Sequence, residues 1–218
     1  MAALGILVPS AVVRIHLPQH LLKYIPMKGS YVFLARGFEE TEALATLDVL
    51  RRGGMKVLTV SIDGDLEVTG SHGISVLADM TWGEFCGSVE KTGTAAEDVM
   101  VFPGGMPGTK NLAADAELMD LMKAHFAEGG TVAAICAAPG LVASQLDGLE
   151  GRKFTCFDGF QDNLLATGAV YEKAPAVADG NLITGRGAGC AVDFGLAILT
   201  AVKDKNAADD VRRGMMLI

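Results

Sequence analysis

Short apolar runs alternate along this chain with longer segments of helical periodicity, and that alternation limits the fold more than any other feature of the sequence. YVFLA (31–35) is followed by RGFEE and then by a segment in which Thr41, Leu44, Leu47 and Leu50 recur at helical spacing. That order reads as strand, turn and helix. Gly53 and Gly54 stop the helix, and KVLTVSI (56–62) supplies a second buried strand, closing a βαβ unit whose two strands pair in parallel. The pattern then repeats. DVMVFPGG (98–105) is a strand ending on a glycine pair, a helix over 115–128 stops at Gly129 and Gly130, and TVAAIC (131–136) is a strand feeding a helix over 137–146. RKFTCF, a helix near 160–166, NLITG (181–185) and a helix over 190–203 complete the series. Short strands near 66–69 and 74–78 are expected to form a hairpin at the sheet edge, and 81–98 to be a loop or short helix. The fold class is α/β: a flavodoxin-like, doubly wound sandwich with a mostly parallel sheet and helices on both faces.

A chain of 218 residues buries one core comfortably, and nothing in its composition asks for two. Residues 1–28 are set apart as an N-terminal extension, 29–205 as the folded domain, and 206–218 as a tail or short helix. The first 38 residues hold no Asp or Glu but include Arg14, Lys23, Lys28 and Arg36, the charge bias of an organelle transit segment. Met27 also opens a complete domain, so the extension reads equally as a tail or as the product of an upstream start, and less readily as a structured element. The expected location is cytoplasmic, or mitochondrial if the extension is a transit peptide. A net charge of −8 with no basic stripe argues against nucleic acid as a direct partner. No apolar run approaches the roughly 18 residues a membrane helix needs. Cysteines 86, 136, 156 and 190 form no C-x-x-C pair and show no metal-ligand spacing with the histidines, so neither zinc nor a disulfide framework is expected.

In an open α/β sheet, ligands bind where strands hand over to helices at their carboxyl ends, and three such places carry candidate chemistry. Cys136 ends TVAAIC directly before a helix, flanked by Ala137 and Ala138, which let the backbone turn sharply. A thiol there meets free N–H groups and the positive end of the helix dipole, both of which favour thiolate. A buried cysteine acting as a small hydrophobe is the competing reading. Glu39, Glu40 and Glu42 crowd the first helix start; Glu39 and Glu40 are accounted for as complements to the dipole. Glu42, if it faces inward, would keep its proton, its O–H serving as a hydrogen-bond donor to sulfur. Gly104 and Gly105 let backbone N–H groups approach a bound oxygen. No histidine adjoins Cys136. His16 and His20 lie in the extension, His125 is expected on a solvated helix face, and His72, in TGSHG, is the one pocket candidate, with a surface turn as the alternative. Arg186 is either an anion binder or half of a salt bridge. Cys190 also opens a helix, while Cys86 and Cys156 read as structural.

RGFEETEA, FPGG, AAICAAPG and TGRGAG, in this order and spacing, resemble the ThiJ/PfpI superfamily, specifically its branch that includes the parkinsonism-associated deglycase and bacterial YajL. The likeness runs from about Met27 to about Asp204. It implies Cys136 as nucleophile, Glu42 as the carboxyl hydrogen-bonded to it, Gly104 and Gly105 as an oxyanion-side turn, and Ala137 as a backbone donor. Arg51 and Arg186 match positions near the family's dimer interface and pocket. It further implies a cofactor-free enzyme acting on methylglyoxal, glyoxal or their early protein adducts, working as a homodimer, with a redox-responsive chaperone as the alternative. Two departures stand out. Ala137 occupies the place where the protease-like branch has His, which disfavours peptidase activity, and Phe157 falls near the place where the deglycase branch often has one. The general base is therefore sought in Glu42, His72 or water.

Overall fold

The computed structural model describes residues 29–88 and 95–217; the N-terminal extension, and His16 and His20 with it, lies outside the described residues. In chain order the elements are β1 (Ser30–Leu34), α1 (Glu40–Arg52), β2 (Val57–Ser61), β3 (Glu67–Thr69), β4 (Ser75–Leu77), β5 (Met80–Thr81), α2 (Trp82–Ser88) and β6 (Val99–Phe102). Then come α3 (Gly108–Ala114), α4 (Ala116–Ala127), β7 (Thr131–Ile135), α5 (Ala138–Leu141), β8 (Lys153–Phe154), α6 (Asp162–Ala166), β9 (Val170–Tyr171), β10 (Ala176–Asp179), β11 (Leu182–Gly185), α7 (Ala191–Val202) and α8 (Lys205–Gly214). Seven strands form the main sheet in the order β10-β11-β7-β6-β1-β2-β5. Every pairing in it is parallel except β10 with β11 at one edge. This is the flavodoxin-like α/β fold expected.

Because successive side chains on a strand point to opposite faces, each central strand feeds two cores. Val32 and Leu34 of β1, Val99 and Val101 of β6, and Ala133 and Ile135 of β7 pack on one face with α1, α7 and α8, through Leu50, Phe194 and Val211 among others. Phe33, Met100, Phe102, Val132 and Ala134 pack on the other face with α2, α3 and α4, through Phe85, Leu112 and Leu118. Phe33 stacks on Phe102 at 5.4 Å between ring centroids and meets Phe85 edge-on at 5.6 Å. Fully burying one such side chain stabilises by about 1.5–3 kcal/mol, so the near-continuous apolar strands make the core the dominant favourable contribution.

Several expectations are corrected. The helix over 137–146 is one turn, Ala138–Leu141, followed by a short 3₁₀ turn at Ala143–Gln145. Gly140 lies so close to the Phe160 backbone that a side chain there would collide with it, which leaves little room for a longer helix at that point. The segment 66–78 does pair antiparallel, but as a separate two-stranded sheet; β5 is the strand that extends the main sheet beyond β2. An additional helix, α3, precedes α4, separated by Asp115, which ends the first and caps the second by accepting from Leu118 N at 3.0 Å. The edge strand β10 was not foreseen. Over 206–217 the chain takes the short-helix alternative, α8, with Ala208 and Val211 buried in the core shared with α1 and α7.

Candidate active site

The strand order brings the carboxyl ends of β11, β7, β6 and β1 side by side, and the chain runs outward in both directions from β1 and β6. Such a reversal leaves a crevice between two diverging connections. Phe102 of β6 is in register with Ala134 of β7, so Gly104 and Cys136, two residues beyond each, come together. A Cβ built on Gly104 would lie 2.5 Å from Glu42 Oε2, 2.6 Å from Cys136 Cβ and 3.1 Å from its Sγ. Only glycine leaves room for a thiol and a carboxyl to meet over that backbone.

Cys136 has φ +66°, one of two non-glycine residues among those described with positive φ. An L residue held there carries backbone strain of about 1–3 kcal/mol, which persists only where the surroundings enforce it. They do: Cys136 N donates to Gly185 O at 2.9 Å, and Cys136 O accepts from Phe157 N at 2.8 Å. The peptide is clamped between β11 and the segment after β8, and the half-buried thiol is set on a sharp turn.

Glu42 is 1% exposed. Its position on α1 is fixed by Glu39, the helix N-cap, whose carboxylate accepts from Glu42 N at 2.6 Å. That E-x-x-E pattern, a relative of the capping box, was readable in the sequence and was passed over. Glu42 Oε2 accepts from Gly104 N at 2.8 Å, and the same carboxyl is hydrogen-bonded to Cys136. Burial, reinforced by the nearby Glu39 charge, pushes the Glu42 carboxyl up to about 7 against the lowering effect of its hydrogen bonds. Burial first, and then the Glu42 charge, also push the Cys136 thiol well above its ordinary range, while the backbone N–H groups of Ala137 and Gly105 pull it down. The sequence argument expected a helix N-terminus to favour thiolate, but α5 is a single turn with little dipole to offer. What the site does instead is resist a second negative charge: carboxyl and thiol together hold one proton and one charge. The two N–H groups at sulfur and the one at Oε2 decide how that charge is divided.

The other candidates fall into place around this pair. Gly105, at φ +91°, turns so tightly that a Cβ there would sit 2.6 Å from Gly37 O; its N–H and that of Ala137 face the sulfur, whereas the Gly104 N–H is already committed to Glu42. His72 is not brought to the thiol by any hydrogen bond described. Its Nδ1 lies 2.7 Å from Glu40 Oε2, and the imidazole is largely exposed. Glu40 is therefore more than a complement to the helix dipole. It is 5% exposed, accepts from His72 N at 2.7 Å and Ile74 N at 3.4 Å, and ties the hairpin turn to α1. Those contacts hold its carboxyl at about 2 despite burial. Glu39, Glu40 and His72 bring three ligand-type atoms within 4.8 Å, a grouping that spacing alone did not reveal, but the two carboxylates are already engaged by protein donors. Arg186 Nη2 contacts both oxygens of Asp158 at 2.9 Å, the salt-bridge reading of that residue. Arg51 binds Val57 O at 2.9 Å and Asp79 at 2.8 Å, which joins α1 to the turn before β5. Cys156 is buried, as expected of a structural thiol.

His125 is not on a solvated face. It is fully buried, with Nε2 3.1 Å from both Asp98 O and Thr131 O. Two carbonyl acceptors require Nε2 to carry the proton, and burial holds the ring neutral by lowering its basicity.

A family model described as DJ-1/PfpI matches residues 29–201, spanning all four strand ends that build this site. The chain belongs to the DJ-1/PfpI family. Drosophila melanogaster protein dj-1beta is 32% identical over 190 residues, covering 87% of this chain and 97% of that one. Arabidopsis thaliana DJ-1 homolog A is 34% identical and covers 84% of this chain, which spans only 45% of that longer protein. Among solved structures, Drosophila DJ-1beta superposes with TM-score 0.76 at 32% identity, covering 87% of this chain and 98% of that one. An oxidized Toxoplasma gondii DJ-1 superposes with TM-score 0.77 at 27% identity, covering 86% and 97%. Among the described residues of this DJ-1/PfpI chain, no helix is long and apolar enough to cross a membrane.

Proposed function

We propose that the protein is a cofactor-free glyoxalase or deglycase that converts methylglyoxal, glyoxal or their early protein adducts at Cys136 and so protects against carbonyl and oxidative stress. The observation that carries this reading is the coupled Cys136–Glu42 pair: a strained thiol beside a buried carboxyl near neutral pKa, with N–H groups at the sulfur. Glu42 takes the thiol proton as sulfur adds to the aldehyde carbon, and the Ala137 and Gly105 N–H groups at the sulfur are assigned to the oxygen that gains charge. A proton then moves from the former aldehyde carbon to the neighbouring carbonyl carbon, leaving a 2-hydroxy thioester. Water cleaves the C–S bond, releases the hydroxy acid and returns the thiol. No electrons enter or leave overall. His72, held by Glu40 at the rim, and Arg186 are assigned to the substrate approach. A homodimer is the proposed assembly, by likeness to the family.

The test is methylglyoxal loss and lactate formation without glutathione over many equivalents per thiol, with Cys136→Ala as control. Multiple turnovers that vanish in Cys136→Ala support the proposal. Consumption limited to about one equivalent overturns it in favour of a redox-responsive chaperone, a reading supported by the oxidized state of the Toxoplasma relative. In that reading the Glu42 proton would bond a sulfinate oxygen on Cys136.

A further inference from the structure

Beside the clamped peptide of Cys136 lies an open groove of about 360 Å³, lined by Phe157, Asp158, Arg186, Cys190 and the backbone of 187–189. Its two walls start at the groups that hold Cys136: Phe157 donates its N–H to Cys136 O, and Gly185, which accepts from Cys136 N, leads directly into Arg186. The volume lies at the small end of the roughly 300–1,000 Å³ typical of ligand sites. A larger concavity, of about 580 Å³, lies elsewhere, at the amino ends of the strands around Gly29, Lys56 and Lys203, and none of its lining residues belongs to the thiol site.

Three features define what the groove accepts. Phe157 is 50% exposed. It meets Phe160 edge-on at 6.4 Å between centroids, and a Cβ on Gly187 would lie 3.3 Å from it. Phe160 backs the ring, and the missing side chain at Gly187 keeps the space beside it clear. Second, Gly187 and Gly189 carry no side chains and Ala188 only a methyl, so the floor is narrow and flat. Third, the guanidinium of Arg186 is matched by Asp158 through both carboxylate oxygens, which leaves the rim with paired charges and no cation free for an anionic group. A flat apolar slot with a supported aromatic wall and compensated charge suits an uncharged planar or branched apolar group.

We infer that this groove seats the non-reacting substituent of the substrate, that Phe157 is its specificity-determining residue, and that the preferred substrates are neutral 2-oxoaldehydes bearing an aryl or bulky apolar group. The inference rests on the proposed attack of Cys136 on an aldehyde. Phenylglyoxal plus water gives mandelate by the same balanced steps: sulfur adds to the aldehyde carbon, a proton shifts to the ketone carbon, and water displaces the thiol.

The experiment compares kcat/KM for phenylglyoxal and methylglyoxal in wild type, Phe157→Ala and Phe157→Tyr, with Cys136→Ala as the background for arginine modification. In parallel, saturation-transfer NMR reads the binding of acetophenone, which has no aldehyde to turn over. The expected result is a preference for phenylglyoxal of about tenfold in wild type, lost in Phe157→Ala through KM, with methylglyoxal changed less than about twofold and Phe157→Tyr close to wild type. Acetophenone binds wild type and not Phe157→Ala. Turnover of both aldehydes with no preference and no effect of Phe157→Ala overturns the inference while leaving the glyoxalase reading intact. Acetophenone binding that depends on Phe157, without turnover of either aldehyde, supports the aromatic groove and overturns the glyoxalase reading. Neither binding nor turnover overturns both. Phe157 is half exposed, so Phe157→Ala should fold, and an unchanged melting temperature confirms that the comparison is between folded proteins.

Discussion

A buried titratable side chain packs at each end of strand β7, His125 from α4 at one and Glu42 from α1 at the other, and they use burial in opposite ways. At the amino end His125 is neutral, shares its Nε2 proton between two carbonyls, and closes the gap between α4 and the starts of β6 and β7. At the carboxyl end Cys136 and Glu42 share one proton over a strained turn and a glycine that no other residue can replace. Burial alone does not mark a reactive centre. What separates the ends is that one group is a neutral ring whose Nε2 proton is held by two backbone carbonyls, while the other two compete for a single charge.

Substitution at each end should separate cleanly. Cys136→Ala is expected to abolish turnover, by about 10³-fold or more, with folding intact. His125→Leu should leave kcat within about twofold of wild type but lower stability by roughly 2 kcal/mol, because Thr131 O loses its ring donor. Paired kinetics and denaturant melts read both, and a folded His125→Leu protein without activity would break the contrast. Glu42→Gln comes next, with turnover down about 10²-fold. The rate inflection near the carboxyl value of about 7 should vanish from its pH profile.

The glycines make a matched pair. A Cβ at Gly104 intrudes on Glu42 and Cys136, while one at Gly130 collides with the His125 ring. Gly104→Ala should cost about 10- to 10²-fold in kcat/KM by misplacing the pair. Gly130→Ala should cost stability only, read by melting temperature and activity side by side.

The smallest effect is in the pH dependence of stability, where the two ends have opposite signs. His125 is held below its ordinary 6.5, so the unfolded chain takes up a proton the folded one refuses, and stability falls as pH drops through that value. Glu42 is raised from 4.5 to about 7, so its contribution is full below 4.5 and lost as pH rises through 7. Melts across pH 4–8 should lose the acid-side slope in His125→Leu and the neutral-side slope in Glu42→Gln.

The contrast also shows what the sequence could reveal. Alternating strands and helices were legible because VMVF, and TVAAI after its first residue, are apolar runs, as buried parallel strands must be. Cys136, Glu42 and the glycine pair were legible because each lies at the handover from a strand. His125 was misplaced because helical periodicity set it on the outer face, whereas the terminal turn of α4 bends it under β6 and β7, a tertiary contact with no local signal. The one-turn α5 was missed for the same reason: Phe160, twenty residues along the chain, crowds Gly140. Glu40 carried no sign that a hairpin more than thirty residues away would bury it.

The central claim, that Cys136 and Glu42 share one charge, is tested most directly by the pH dependence of Cys136 alkylation with iodoacetamide, followed by mass spectrometry in wild type and Glu42→Gln. The account predicts a wild-type rate that rises through one inflection near the carboxyl value of about 7, and no inflection there in Glu42→Gln. A wild-type rate that rises only where an ordinary free thiol ionises, with the same profile in Glu42→Gln, would contradict it.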